Sequence, residues 1–195
     1  MFLAFFLEET KTFTLIGEKS DMKEDAVLFN VEDEVAVITL NRPETHNTMT
    51  PELFEGLKQS LDQIRANPEI RCVVLTGKGR TFCAGANLHG DLQRSENDRF
   101  ELPHERSFAM YTPFFQVLDI EVPLIASLNG HAVGGGFGLA LLCDMRIANQ
   151  DAKYGANFAR LGITPGMGIS YLLPRLVGLP RAAEMLFTGR LLRGH

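Results

Sequence analysis

The stretch Asn129-Gly130-His131-Ala132-Val133-Gly134-Gly135-Gly136-Phe137-Gly138 decides the fold expected of this chain. It follows residues 123–128, a short apolar run that is typical of a buried strand, and it leads into an apolar run ending at Leu142 that predicts a helix. Three consecutive glycines at a helix start leave main-chain N–H groups open and let a ligand approach the backbone closely. The stretch therefore predicts a strand, a ligand-binding turn and a helix.

A second loop of similar character is Thr81-Phe82-Cys83-Ala84-Gly85-Ala86-Asn87-Leu88, which comes after the strand-like residues 72–76. Together the two loops can supply two N–H donors to one carbonyl oxygen. Fixed donors of this kind stabilise the charge that develops on a thioester carbonyl, and losing one typically costs about 10²–10³ in rate. The alternative is that the glycines only permit tight helix packing, because glycine-rich turns between strands and helices are common.

Alternating strands and helices predict an α/β fold. The apolar patterns predict strands over residues 35–40, 72–76, 123–128, 145–148 and 153–155, and helices over residues 51–66, 107–119, 134–142, 167–177 and 180–188. The helix at 51–66 has the clearest start, since Thr50 is a good N-cap and Pro51 suits the first helical position. Residues 89–106 are polar without a steady period and are interpreted as a mobile loop or lid.

Composition narrows the classes of function. The chain has 195 residues, 45% of them hydrophobic, with a net charge of −5, which fits one domain with its own core and disfavours nucleic-acid or anionic-membrane binding over the whole surface. Three cysteines without a C-x-x-C pair predict free thiols, no zinc site and a cytoplasmic protein. No apolar run is long enough to span a bilayer. Residues 1–26 are predicted to be an irregular extension before a core at 27–195.

The loops and their flanking segments resemble the crotonase (enoyl-CoA hydratase/isomerase) superfamily. The resemblance covers about residues 27–195 and is carried by Ile38-Thr39-Leu40-Asn41-Arg42-Pro43, Val74-Leu75-Thr76-Gly77, Phe82-Cys83-Ala84-Gly85-Ala86, Pro123-Leu124-Ile125-Ala126, the triple-glycine stretch, Cys143-Asp144 and Gly162-x-x-Pro165-Gly166. It implies a ββα-spiral core, with the family's C-terminal helical part missing or not represented. It also implies a homotrimer or a dimer of trimers, and a place in fatty acid metabolism.

The resemblance further implies an acyl-coenzyme A thioester as the substrate, with no permanently bound cofactor or metal. The N–H groups of Ala86 and Gly135 would form an oxyanion hole for its carbonyl. The coenzyme would lie near residues 44–46, near residues 84–88 and near the glycine turn. The expected binding residues are Glu44, Thr45, His46, Ala84, Gly85, Asn87, Leu88 and Gly134.

Three departures from the family pattern concern the acid and base. Hydratases of this family carry glutamates at the places of Gly138 and Phe158, and isomerases often carry an acid at the place of Gly166. Gly138, Phe158 and Tyr111 are expected to line the acyl pocket, which the first two would make apolar and roomy. The alternative for Tyr111 is the role of an acid. His89 and Asp91, just past the first loop, are the candidate acid and base.

Two functions follow as alternatives. The first is a hydratase/isomerase-type enzyme, of the lyase or isomerase class, that stabilises a thioester enolate without the usual glutamates. The second is a catalytically inactive acyl-coenzyme A-binding protein. A serine peptidase on the same fold ranks last, because residues 130–138 contain no serine.

Overall fold

Two sheets alternate along the chain, and each strand pair is followed by a helical segment. The structure is a computed structural model and describes residues 24–86 and 103–195. Its five-stranded sheet has the order β1-β2-β3-β5-β7, and its four-stranded sheet has the order β4-β6-β8-β9. The strands are β1 Val27–Glu32, β2 Val35–Leu40, β3 Cys72–Gly77, β4 Thr81–Cys83, β5 Leu124–Leu128, β6 His131–Val133, β7 Met145–Ala148, β8 Lys153–Gly155 and β9 Leu192–Arg193.

The helices lie between these strand pairs. They are α1 Pro51–Ala66, α2 Pro103–Tyr111, α3 Gly135–Leu142, α4 Ile169–Val177 and α5 Leu179–Thr188, with 3₁₀ segments at Pro43–Thr45, Thr112–Asp119 and Asn157–Leu161. Strands β2, β3, β5 and β7 run parallel, and so do β4, β6 and β8, because each return to a sheet is made by a crossover. The chain thus winds as a ββα spiral, which confirms the predicted fold class.

The larger sheet and α1 match their sequence patterns closely. Strand β2 alternates half-buried and buried residues, and α1 buries Leu53, Leu57, Leu61 and Ile64 along one face. Thr50 caps α1 as predicted, since its Oγ1 accepts a hydrogen bond from the N–H of Leu53 at 3.3 Å. This face of α1 covers the sheet and completes the hydrophobic core.

Asparagine side chains fasten the turns that lead from one sheet to the other. Asn47 donates to the carbonyl of Thr81 at 2.7 Å. Asn129 accepts from the N–H of Gly77 at 3.0 Å and donates to the carbonyl of Gly79 at 2.9 Å. These bonds fix the path of the chain into β4 and β6, at whose ends the glycine loops begin.

Several boundaries correct the sequence predictions. Thr81–Cys83 and His131–Val133, interpreted as parts of the glycine loops, are strands of the second sheet. The helix expected over 107–119 begins earlier, at Pro103, and continues as a 3₁₀ segment from Thr112. Strands β1 and β9 were missed, whereas β8 at Lys153–Gly155 was predicted with the bounds that the structure gives it. The proposed boundary at residues 26/27 stays a prediction, since residues 1–23 lie outside the described residues.

No helix within the described ranges is long and apolar enough to cross a membrane. Among the same residues, no group of three or more histidine, cysteine, aspartate or glutamate side chains is arranged to hold a metal ion.

Candidate functional site

The two glycine loops meet at the ends of β4 and β6. Gly85 has a φ of +84°, and a Cβ built on it would lie 2.7 Å from the nitrogen of Gly135 and 2.8 Å from the carbonyl oxygen of Val133. Both the left-handed backbone and the lack of room require glycine at this position. The structure therefore brings Gly85, and Ala86 beside it, next to the start of α3.

The first loop is held from behind by the segment after β2. The N–H of Ala84 donates to the carbonyl of His46 at 3.1 Å, and the N–H of Met49 donates to the carbonyl of Gly85 at 2.8 Å. Met49 and Ala86 also form an isolated parallel bridge. The exposed residues Glu44, Thr45 and His46 thus lie beside the first loop, so the two segments expected to hold the coenzyme are neighbours. Their binding roles stay predictions.

The second loop ends in a helix start made only of glycine. Gly134 has φ 56° and ψ −124°, provides no side-chain cap, and donates its own N–H to the carbonyl of Gly155 at 3.0 Å. The N–H groups of the first turn of α3, including that of Gly135, have no acceptor within the helix. The helix dipole adds partial positive charge at the same place. This arrangement favours a ligand atom that carries negative charge.

A small cavity of about 40 Å³ opens between the two loops. Its lining consists of Ala84, Ala86, Tyr111, Gly134, Gly135, Asn157, Phe158, Leu161 and Ile163. Among the lining residues that the structure describes, Tyr111 and Asn157 are the two with polar side chains. Asn157 was not among the site residues predicted from the sequence. Its position directly before Phe158 was the available signal. A larger depression of about 620 Å³ lies between β1 and α1, and neither glycine loop contributes to its lining.

The sequence predicts a roomy acyl pocket lined by Gly138 and Phe158, and this prediction is wrong for Gly138. A Cβ on Gly138 would overlap the Cβ of Met167 and approach Cγ1 and Cδ1 of Ile169 at 3.1 and 3.2 Å. Gly138 is therefore packed inside the core and does not line the cavity. Phe158 does line it and is buried, so its ring fills space there.

Tyr111 forms one wall of the cavity between two glycines. A Cβ on Gly135 would lie 2.8 Å from Cε1 and 3.4 Å from Oη of Tyr111, and a Cβ on Gly166 would overlap the opposite edge of the ring. The ring is only 7% exposed. Tyr111 thus occupies the space that a side chain at position 166 would need.

Four of the predicted site residues, Asn87, Leu88, His89 and Asp91, lie outside the described residues. Their roles stay predictions.

Cys83 lies at the base of the first loop, which is shielded from solvent. Its side chain is completely buried, and burial raises the pKa of the thiol from 9.0 to about 12, while the N–H of Gly85 donates to its sulfur at 3.5 Å and opposes the shift. Burial likewise raises the pKa of Cys143 to about 12. Both thiols stay protonated at neutral pH, as expected of core residues, whereas Cys72 is only half-buried.

We expect these thiols to make the fold less stable in alkali. In the folded protein the pKa values of both thiols lie above 9.0. Their contribution to the free energy of unfolding is therefore fully present below pH 9 and is lost as the pH rises towards 12. The free energy of unfolding, measured in urea at several pH values, should fall across this window. Cys83→Ala should make the fall shallower, and an unchanged slope in that variant would contradict the assignment.

Most of the chain is similar to one family of known proteins. The family model described as enoyl-CoA hydratase/isomerase matches residues 30–195. YngF of Bacillus subtilis, classed by name as an enoyl-CoA hydratase/isomerase, is 41% identical over 174 residues, covering 88% of this chain and 65% of the relative. The short-chain-enoyl-CoA hydratase of Clostridium acetobutylicum is 36% identical, covering 87% of this chain and 64% of the relative.

Solved structures agree with this similarity. The enoyl-CoA hydratase from Bacillus anthracis superposes with a TM-score of 0.78 at 36% identity, covering 86% of this chain and 64% of that one. The chain therefore spans slightly less than two thirds of the length of the relatives described.

Proposed function

The chain belongs to the enoyl-CoA hydratase/isomerase family, and we propose that it binds an acyl-coenzyme A thioester at the two glycine loops. The thioester carbonyl oxygen would accept hydrogen bonds from the N–H groups of Ala86 and Gly135. The observation that carries this proposal is the fit of Gly85 against the nitrogen of Gly135, where no larger residue has room. This fit keeps Ala86, the neighbour of Gly85, close to the start of α3.

The surroundings of these N–H groups support the stabilisation of an enolate. Gly134, Gly135 and Gly136 are buried, and the helix dipole of α3 ends among them. Hydrogen bonds to a developing oxyanion are worth more in such a water-excluded place than in bulk solvent. The donors also need no reorganisation during the reaction, because β4, β6 and α3 fix them.

The described part of the site offers no carboxylate to a bound acyl group. Among the cavity-lining residues that the structure describes, none is aspartate, glutamate or histidine. We therefore propose enolate stabilisation without the family's usual glutamates, in which His89 and Asp91 remain candidates for the acid and base. The proposed trimeric assembly rests on the resemblance alone.

A specific observation also favours the second candidate, an inactive acyl-coenzyme A-binding protein. Met167 fills the space beside Gly138, and the Phe158 ring fills its own position, so both places at which hydratases of the family carry glutamates are closed by apolar groups. Binding without turnover would favour this candidate.

The proposed oxyanion hole can be tested by comparing butyryl-coenzyme A with S-butyl-coenzyme A, a thioether that lacks the carbonyl oxygen. We expect the thioester to bind at least about 10-fold more tightly by calorimetry, because two hydrogen bonds are worth roughly 1.4 kcal/mol or more in total. Gly85→Ala should abolish this difference, since its Cβ forces the loops apart.

The matched control is Gly162→Ala, which places a Cβ on another left-handed glycine, with φ +69° and nothing within 4 Å. This variant should keep the preference for the thioester. Equal affinity of the wild-type protein for thioester and thioether would overturn the proposed carbonyl site. Incubation with crotonyl-coenzyme A and related thioesters separates the two candidates, because an enzyme would convert at least one of them and a binding protein none.

A further inference from the structure

We propose that Tyr111 is a catalytic residue whose phenol transfers the proton at the α-carbon of the bound acyl group. This inference rests on the proposed function, because it needs the thioester carbonyl to be held by Ala86 and Gly135. It adds the proton-carrying group that the described lining otherwise lacks.

The first support is the position of the phenol relative to the carbonyl site. The Tyr111 oxygen lies 3.4 Å from the point at which a Cβ on Gly135 would stand. A carbonyl oxygen bound by the N–H of Gly135 would lie about 2.9 Å from that nitrogen. The α-carbon is two bonds from this oxygen, so a thioester held there would place its α-carbon at the cavity of about 40 Å³ that both Tyr111 and Gly135 line.

The second support is the rigidity of the ring. Gly135 and Gly166 lie against opposite edges of the Tyr111 ring, and Cβ atoms on either glycine would collide with it. The ring is 7% exposed, so its hydroxyl has few alternative positions. A proton donor fixed in this way needs little ordering when the substrate binds.

The third support is the chemistry of the other groups nearby. Asn157 is the other lining residue with a polar side chain, and a carboxamide can hydrogen-bond but does not exchange a proton with carbon in this way. The buried thiol of Cys83 does not line the cavity. Among the described lining residues, only Tyr111 carries a proton suited to general acid–base catalysis.

The step conserves atoms and charge. The electron pair of the thioester enolate forms a C–H bond at the α-carbon with the proton of the phenol, the O–H bond breaks, and the carbonyl is restored. The resulting phenolate recovers a proton from water. In the reverse direction the phenolate removes the α-proton, and the enolate charge moves onto the oxygen held by the two N–H groups.

The test is the incorporation of deuterium at the α-carbon of butyryl-coenzyme A in D₂O, followed by mass spectrometry on the full chain. We expect the wild-type protein to exchange this proton faster than the protein-free solution. Tyr111→Phe should exchange at least about 100-fold more slowly, within the usual contribution of a general acid or base, while its affinity for butyryl-coenzyme A changes less than about threefold.

The other two tyrosines of the chain provide matched controls. Tyr154 is buried and donates its hydroxyl to the carbonyl of Asn149 at 2.8 Å, and Tyr171 is exposed, with Arg175 stacked on its ring. Tyr154→Phe controls for the loss of a buried hydroxyl, and Tyr171→Phe for the loss of an exposed one. Both should exchange the α-proton at the wild-type rate.

Exchange by Tyr111→Phe at the wild-type rate would overturn the inference and leave the proposed function intact. Binding of the thioester by the wild-type protein without any exchange would also overturn the inference, and it would favour the inactive acyl-coenzyme A-binding protein. A wild-type protein that does not bind the thioester would overturn the proposed function itself. If Tyr111→Phe unfolds, site-specific replacement by 3-fluorotyrosine retains the ring and hydroxyl, and an exchange rate unaffected by its more acidic phenol would count against Tyr111.

Discussion

Gly136→Ala is expected to lower the free energy of unfolding by about 3 kcal/mol, although alanine is the better helix former. Gly136 lies in the first turn of α3, where alanine would ordinarily gain about 1 kcal/mol. Here its Cβ would overlap the carbonyl oxygen of Cys83 and lie 2.7 Å from the Cys83 Cβ. Backbone atoms of a strand cannot rotate away as a flexible side chain does, so α3 or β4 must shift.

Gly162→Ala is the control for this prediction, and urea unfolding is the measurement. Gly162 has a left-handed backbone, with φ 69° and ψ 23°, and nothing lies within 4 Å of an added Cβ, so the cost is limited to that backbone conformation, about 1–2 kcal/mol. A Gly136→Ala protein as stable as the wild type would show that α3 does not pack against the end of β4 in this way.

Gly138→Glu is expected to destabilise the protein by roughly 3–5 kcal/mol and to create no hydratase site. The added side chain would meet the Cβ of Met167, an atom that rotation about χ1 cannot move. It would also bring a carboxylate into a core position that the described structure surrounds with apolar groups. Crotonyl-coenzyme A hydration should therefore remain at the wild-type level or below.

Removing the Met167 side chain should lower the cost of a Cβ at position 138. Met167 has a φ of 52°, a backbone conformation that glycine adopts more easily, so Met167→Gly removes the clashing Cβ without backbone strain. A double-mutant cycle with Gly138→Ala and Met167→Gly should give a favourable coupling of about 2 kcal/mol in urea unfolding. Additive effects of the two substitutions would contradict the packing of Gly138 against Met167.

These two predictions share a physical origin. Around α3, glycines mark close approaches between elements: Gly136 to β4 and Gly138 to the residues before α4. A change at the position of a family carboxylate therefore alters the packing of the helix that also presents the N–H of Gly135. We expect substitutions there to affect thioester binding through the position of α3, even when the new side chain does not contact the acyl group.

Local patterns were enough to predict the larger elements. Strand β2 and helix α1 have the predicted limits, because alternating burial in β2, a helical apolar period in α1 and the Thr50 cap are all encoded within a few residues. The short strands β4 and β6 were not predicted, because they adjoin the glycine-rich stretches and were interpreted as parts of the loops. Their pairing depends on the asparagine-fastened turns, which join residues far apart in the chain.

By itself the sequence determined the α/β class and the two glycine loops, because strand, cap and glycine signals are local. The spiral followed from the resemblance to the family, which the motifs of the two loops carried. Only the tertiary structure decided which space each side chain takes. Met167 packs against Gly138, where the sequence predicted a roomy pocket, and Tyr111 lies between Gly135 and Gly166. The physical reason is that residues from several elements bound a cavity. A single stretch of sequence therefore does not show whether the space left by a small residue stays open or is taken by a side chain from another element.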